Sequence, residues 1–185
     1  MLKNYFRLIT EVDAACQAIW NELEAQGILN ETMVIFTTDN GFYHGEHGLA
    51  GKWYPHEESI RVPLIVWDPR MPTNKQGDTE DAFTLNVDLA PTILGAANVT
   101  VPSVMQGHDI ADLYLKPEAK EDWRTDFFYE YPNIFGQDVI PGSTALVRKG
   151  IKVITANSSY ALDCHFLPFI LLTYLCALFV LLLVY

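Results

Sequence analysis

Apolar side chains recur every three or four positions across residues 4–28. Tyr5, Leu8, Ile9, Val12, Cys16, Ile19, Trp20 and Leu23 share one stripe, while Glu11, Asp13, Glu22 and Glu24 fall largely off it. That period predicts an amphipathic helix, and Gly27 stands where such a helix ends. An apolar run then covers Thr32 to Thr38 and enters Asp39-Asn40-Gly41, which reads as a strand with polar groups at its C-terminal end. Residues 62–67 predict a second strand, closed by Asp68-Pro69, and residues 70–82, with Pro72 and Gly77, a surface loop. Residues 85–97 read as a helix and 110–115 as a short helical segment. Phe127-Phe128-Tyr129-Glu130-Tyr131 reads as a strand rich in aromatic residues. Residues 145–148 and 151–155 flank Lys149-Gly150 and predict a β-hairpin. A helix feeding a strand in this order predicts βαβ winding: an α/β fold whose mainly parallel sheet is flanked by helices, with a short antiparallel hairpin.

The last part of the chain breaks this rhythm. FLPFILLTYLCALFVLLLVY, residues 166–185, carries no charge over about 20 residues, enough for a membrane span, and its terminal aromatics suit the interface. It predicts a C-terminal apolar helix and a membrane partner; a buried core helix is the other reading of the same run. The chain therefore divides into an α/β layer over 1–125, the start of a small β subdomain over 126–156, and a linker with the apolar helix over 157–185.

Charge and composition narrow the function. The net charge of −11 excludes a nucleic-acid partner, which needs a basic stripe. It also means that an anionic substrate requires a local cationic pocket. Cys16, Cys164 and Cys176 are odd in number and widely spaced, which suggests neither a disulfide framework nor a zinc cluster. No apolar h-region follows Met1-Leu2-Lys3. Location has two readings. Sequons at Asn30, Asn98 and Asn157 match a lumenal or extracellular protein. Arg148, Lys149 and Lys152 before the apolar tail place the preceding part in the cytosol, if the chain is complete as written.

Candidate chemistry concentrates in residues 32–69. Asp39 and Asn40 offer a carboxylate and an amide oxygen, hard ligands that suit Ca²⁺ or Mg²⁺; the same Asp-Asn-Gly also spells a simple turn. Lys52 follows Gly45, Gly48 and Gly51, glycines that let the loop fold back so that an ammonium faces a bound oxyanion. The bland alternative is a solvated lysine. His44, His47 and His56 crowd the loop, and one of them is a candidate general acid. Glu57 or Glu58 pairs with Arg61 or Lys52, or forms a solvated helix end.

Taken together, TTDNGFYHGEHGLAGKW and EESIRVPLIV resemble the type I sulfatases of the alkaline-phosphatase-like superfamily. The opening helix, NVDLAPTILGAANV, MQGHDIADL, WRTDFFYEY and ALVRKGIKVI extend the resemblance over about residues 4–155. It implies the C-terminal portion of a sulfatase catalytic domain. Asp39 and Asn40 would then complete a divalent cation site, usually calcium, and Lys52 would contact the sulfate. His44 and His47 would lie near the site as further catalytic candidates. The reaction would be hydrolysis of a sulfuric ester, with a carbohydrate sulfate as the nearest substrate class, attacked by a formylglycine made from Cys or Ser. The Cys/Ser-x-Pro/Ala-x-Arg pattern for that nucleophile is absent: Cys16 leads into Gln17-Ala18-Ile19-Trp20, and Cys164 into His165-Phe166-Leu167-Pro168. The isolated chain is therefore expected to be inactive. Two alternatives stand beside this reading: a membrane-tethered binding module without catalysis, and a phosphoester or phosphonate hydrolase of the same superfamily.

Overall fold

The computed structural model describes residues 2–132, 142–156 and 178–184. Helix α1 (Leu2–Ala25) carries the predicted stripe. Leu23 is buried, and Trp20 packs edge-to-face on Trp67 with ring centroids 5.1 Å apart. Leu8, one member of the stripe, is instead exposed. The helix ends as expected: Gly27 takes φ +72°, and its N–H donates to the Glu24 carbonyl, a conformation that glycine adopts at little cost.

Strand β1 (Thr32–Thr38) lies between β4 (Leu64–Trp67) and β8 (Leu178–Val184) in one three-stranded sheet. Val34 pairs with Trp67 on one side and with Leu182 on the other. Between β1 and β4 the chain makes a small ribbon, β2 (Tyr43–His44) against β3 (Ala50–Gly51), and one helical turn, α2 (Glu57–Ile60). A 3-10 turn at Asn86–Asp88 leads into α3 (Leu89–Ala96), and α4 (Asp112–Leu115) follows. Strands β5 (Asp126–Tyr131), β6 (Ser143–Arg148) and β7 (Ile151–Ala156) form a second antiparallel sheet.

The core sits between β1 and α3. Met33 and Ile35 are fully buried with Ala96, and Leu64, Val66 and Leu89 pack against them. Ile110, Leu113 and Trp123 form an adjoining cluster that shares Leu64 and Leu89. Burial of Met33, Ile35, Ile110 and Leu113 contributes about 1.5–3 kcal/mol each. The buried threonines of β1 are bonded rather than stranded: Thr37 Oγ1 donates to the Pro63 carbonyl at 2.9 Å and Thr32 Oγ1 to that of Ile28 at 2.7 Å.

Two expectations are corrected. The sheet around β1 is antiparallel on both sides, not mainly parallel. A parallel return needs a crossover helix, and residues 39–63 are spent on the ribbon and a single turn instead. The apolar tail is not a helix where it is described. Leu178–Val184 is strand β8, whose backbone pairs with the whole length of β1. A long apolar run satisfies either period; the unpaired edge of β1 supplies the partner that favours the strand. Among the described residues no helix is long and apolar enough to cross a membrane, so the membrane partner has no support there. Residues 157–177 of the predicted linker and span lie outside the described residues.

One buried acid ties the elements together and sets a pH dependence. Asp68, 1% exposed, accepts from Arg70 (Nη2 to Oδ2, 2.6 Å) and from the Tyr114 hydroxyl at 2.6 Å. Burial raises its pKa, but these hydrogen bonds and the guanidinium charge outweigh burial and hold the carboxyl below its usual range. A depressed folded pKa stabilises the fold above the unfolded value, about 3.9, and that contribution disappears as pH falls through the folded value. Urea unfolding between about pH 2 and 6 should show wild type losing stability more steeply on the acid side than Asp68→Asn. Parallel losses would exclude this account.

Candidate functional site

Strand β1 ends on the three residues singled out in the sequence. Asp39 is exposed, and its Oδ1 accepts the Asn40 N–H at 2.9 Å. Its backbone carbonyl is held from a distant segment by Asn86 Nδ2 at 2.9 Å. Gly41 then presses against the backbone of residues 58–59: its N–H donates to the Ser59 carbonyl at 2.8 Å, and a Cβ here would lie 2.0 Å from the Glu58 carbonyl oxygen. Asp-Asn-Gly is therefore a turn whose backbone is fastened from two sides, which leaves the Asp39 side chain facing outward.

The ribbon brings the lysine back to this turn. Gly51 takes φ +87°, and the next residue, Lys52, places Nζ 2.6 Å from Asn40 Oδ1. Lys52 thus reaches the amide of Asn40 in this turn. Trp53 follows with φ +123°. Its N–H donates to Ser59 Oγ at 3.1 Å, and its carbonyl accepts from the Tyr129 hydroxyl at 3.0 Å. The small sheet holds the rest of the segment: buried Lys152 donates to the Pro55 carbonyl at 2.9 Å and forms an ion pair with Glu57.

The histidines divide between two places. The His44 ring packs on Tyr5 at 4.6 Å and on Phe42 at 5.1 Å, at the α1 side of the ribbon. His47 stacks on His56 with centroids 4.2 Å apart, and its Nε2 lies 3.3 Å from Glu58 Oε2. The Tyr43 hydroxyl bonds His56 Nδ1 at 2.7 Å; burial and the Glu58 charge push this phenol well above its ordinary range. His47 therefore stands beside a carboxylate, whereas the His44 ring packs on aromatic rings.

Asp39 and Asn40 offer oxygens of a kind that suits a divalent cation. Calcium takes about six to eight oxygens, and among the described residues no cluster of three or more His, Cys, Asp or Glu gathers. Two side-chain oxygens do not complete such a site, and Asn40 Oδ1 accepts from Lys52 Nζ at 2.6 Å.

Sequence reasoning missed several residues that shape this site. Asn86 carries no signal, since it acts on Asp39 from 47 positions away. Alternation with Ile151 and Val153 sets Lys152 on one sheet face but does not reveal that this face turns inward. Trp53 carries no sequence signal beyond its place after Lys52.

A family model described as N-sulphoglucosamine sulphohydrolase, C-terminal, matches residues 45–162. The chain is 39% identical over 132 residues to an N-acetylglucosamine-6-O-sulfatase of Bacteroides thetaiotaomicron, covering 70% of this chain and 23% of that protein. It is 32% identical over 133 residues to an extracellular sulfatase, the SULF-1 homolog of Drosophila melanogaster, covering 70% of this chain and 12% of that one. A solved structure described as a complex with its substrate, D-glucosamine-2-N,6-O-disulfate, superposes with a TM-score of 0.72 at 32% identity, over 85% of this chain and 32% of the other. The chain spans about a quarter or less of the length of these curated relatives.

Proposed function

Since the chain belongs to the N-sulphoglucosamine sulphohydrolase C-terminal family, the C-terminal region of type I sulfatases in the alkaline-phosphatase-like superfamily, we propose that the turn after β1 and Lys52 hold the sulfate group of a carbohydrate sulfate ester for hydrolysis. The observation that carries this reading is the 2.6 Å contact between Lys52 Nζ and Asn40 Oδ1. It holds an ammonium, already oriented, against the turn that carries Asp39. A sulfate oxygen placed there meets a fixed positive charge whose orientation cost has been met before binding. The sugar class is taken from the relatives, an N-acetylglucosamine-6-O-sulfatase and a structure in complex with D-glucosamine-2-N,6-O-disulfate.

The remaining roles follow from position. Asp39 and Asn40 form one edge of a divalent cation site, with calcium the expected ion; such an ion polarises a sulfate oxygen as a Lewis acid. His47, paired with Glu58, is the better placed of the two histidines to pass a proton, and His44 is the weaker candidate. Residues 1–125 form part of the catalytic layer, and 126–156 a β subdomain that steadies residues 53–57. The protein works outside the cytosol, as the extracellular relative does.

The 185 residues hold no Cys/Ser-x-Pro/Ala-x-Arg segment, so binding is the readout and these residues alone are not expected to turn over an ester. Titrating wild type and Lys52→Met with D-glucosamine 6-sulfate in the presence of Ca²⁺ should show a loss of about tenfold or more, the scale of a hydrogen bond to a charged group. Unchanged affinity in Lys52→Met would reject the reading. Tighter binding of a phosphonate monoester than of the sulfate would move it to the other ester class of the superfamily.

A further inference from the structure

Trp53 occupies a backbone conformation that its size makes costly. Among the described residues three non-glycine positions have positive φ: His47 at 55°, Asn98 at 54° and Trp53 at 123°. The first two sit in the ordinary left-handed region, which Asn and His tolerate. Trp53 lies beyond it, where bulky side chains are outliers, and such outliers persist only when the surroundings over-determine them. Here they do. Ser59 Oγ holds the N–H at 3.1 Å and the Tyr129 hydroxyl holds the carbonyl at 3.0 Å. Tyr131 meets the indole edge-to-face at 5.9 Å, and a Cβ at position 51 would come 3.4 Å from Trp53 Nε1.

The side chain is partly buried and keeps some exposed surface. The pinning also sets the indole beside the ammonium: Lys52 Nζ lies 5.9 Å from the ring centroid. An aromatic plane adjoining a sulfate-binding cation matches a sulfated pyranose, whose C–H face is apolar while its ester is anionic. A free sulfate would use the cation alone.

We propose that Trp53 is a specificity-determining residue whose indole forms the platform for the sugar ring of the ester held by Lys52, an inference that rests on the sulfate-binding reading above. Tyr129 and Tyr131, from β5, act through it as positioning residues.

The test compares inorganic sulfate with D-glucosamine 6-sulfate on the full chain, for wild type, Trp53→Gly, Trp53→Phe and Lys52→Met. Trp53→Gly removes the indole and suits the backbone angle, so it keeps the fold; Trp53→Phe restores an aromatic face. Trp53→Gly should weaken the sulfated sugar about tenfold, with inorganic sulfate changed by less than about twofold, and Trp53→Phe should recover much of the loss. In ¹⁵N spectra the Trp53 indole N–H peak, identified by its disappearance in Trp53→Phe, should shift with the sulfated sugar and stay in place with inorganic sulfate. Unchanged affinity in Trp53→Gly, or equal losses for the two ligands, would overturn the platform. A loss confined to an aryl sulfate would overturn it as a sugar site. If Lys52→Met binds both ligands like wild type, the sulfate reading fails first and takes this one with it.

Discussion

Replacing Arg124 with methionine should remove about 3–5 kcal/mol of stability, the usual result of leaving a buried charge without its partner. For a domain of ordinary stability, about 5–15 kcal/mol, that leaves a large unfolded fraction at moderate temperature. The reason lies in Asp88, whose side chain is fully buried while Arg124 is 11% exposed. The guanidinium grips it with a fork: Nη2 donates to Oδ1 at 2.7 Å and Nη1 to Oδ2. Asp88 also accepts from the backbone N–H of Leu85 at 2.7 Å and of His108 at 2.8 Å. One carboxylate thereby joins the start of α3, the loop before α4 and the segment before β5. Methionine keeps the hydrophobic stem but supplies none of the donors. Urea unfolding of the full chain measures the loss. Adding Asp88→Asn to Arg124→Met should return part of it, because the uncompensated charge is then gone. A loss below about 1 kcal/mol in the single variant would mean that water screens the pair.

Gly41→Ala should damage stability and ligand binding together. The φ of Gly41 needs no special residue; the obstacle is contact. The added methyl would sit 2.0 Å from the Glu58 carbonyl oxygen and 2.8 Å from its carbon, both main-chain atoms. Backbone held by α2 has no rotamer to swing away, so the two segments must separate. Separation breaks the Gly41–Ser59 hydrogen bond and moves Ser59, which holds Trp53, and Glu58, which faces His47. Overpacking ordinarily costs about 1–3 kcal/mol, and main-chain atoms on one side put this case at the upper end. Binding of D-glucosamine 6-sulfate should fall below that of Lys52→Met, because the turn and the lysine loop lose their shared support. Wild-type unfolding and wild-type binding in Gly41→Ala would show that the contact has room to relax.

Much of the local structure was legible in the chain. The three- and four-residue period of α1, the β1 run entering Asp39, and the Lys149-Gly150 turn with Gly150 at φ +81° all rest on neighbours in sequence. The approach of Lys52 to the Asp39-Asn40 turn was legible too, because glycines leave few ways for so short a loop to close. Strand direction was not. Nothing within Thr32 to Thr38 says whether its partner arrives parallel or antiparallel; that depends on what residues 39–63 do in space. Nor did the apolar tail declare itself, since a run without polar positions has no period to read, and β8 exists because β1 had an edge to pair.

The small sheet draws the division most clearly. Alternation put Ile151 and Val153 on one face and Lys152 on the other, and that much was determined by sequence alone. Hydropathy would turn the isoleucine and valine inward, yet Lys152 is buried against Pro55 and Glu57, while Phe128, Leu146 and Val153, aligned across the three strands, lie outside. The chain's own letters determine elements, turns and the short loop that gathers the candidate chemistry, because those depend on local periodicity and backbone freedom. Which face is buried, which distant side chain fastens Asp39 and what holds Trp53 in place were decided only by the tertiary structure, because hydrogen bonds and packing between segments far apart in sequence leave no periodic trace in either one.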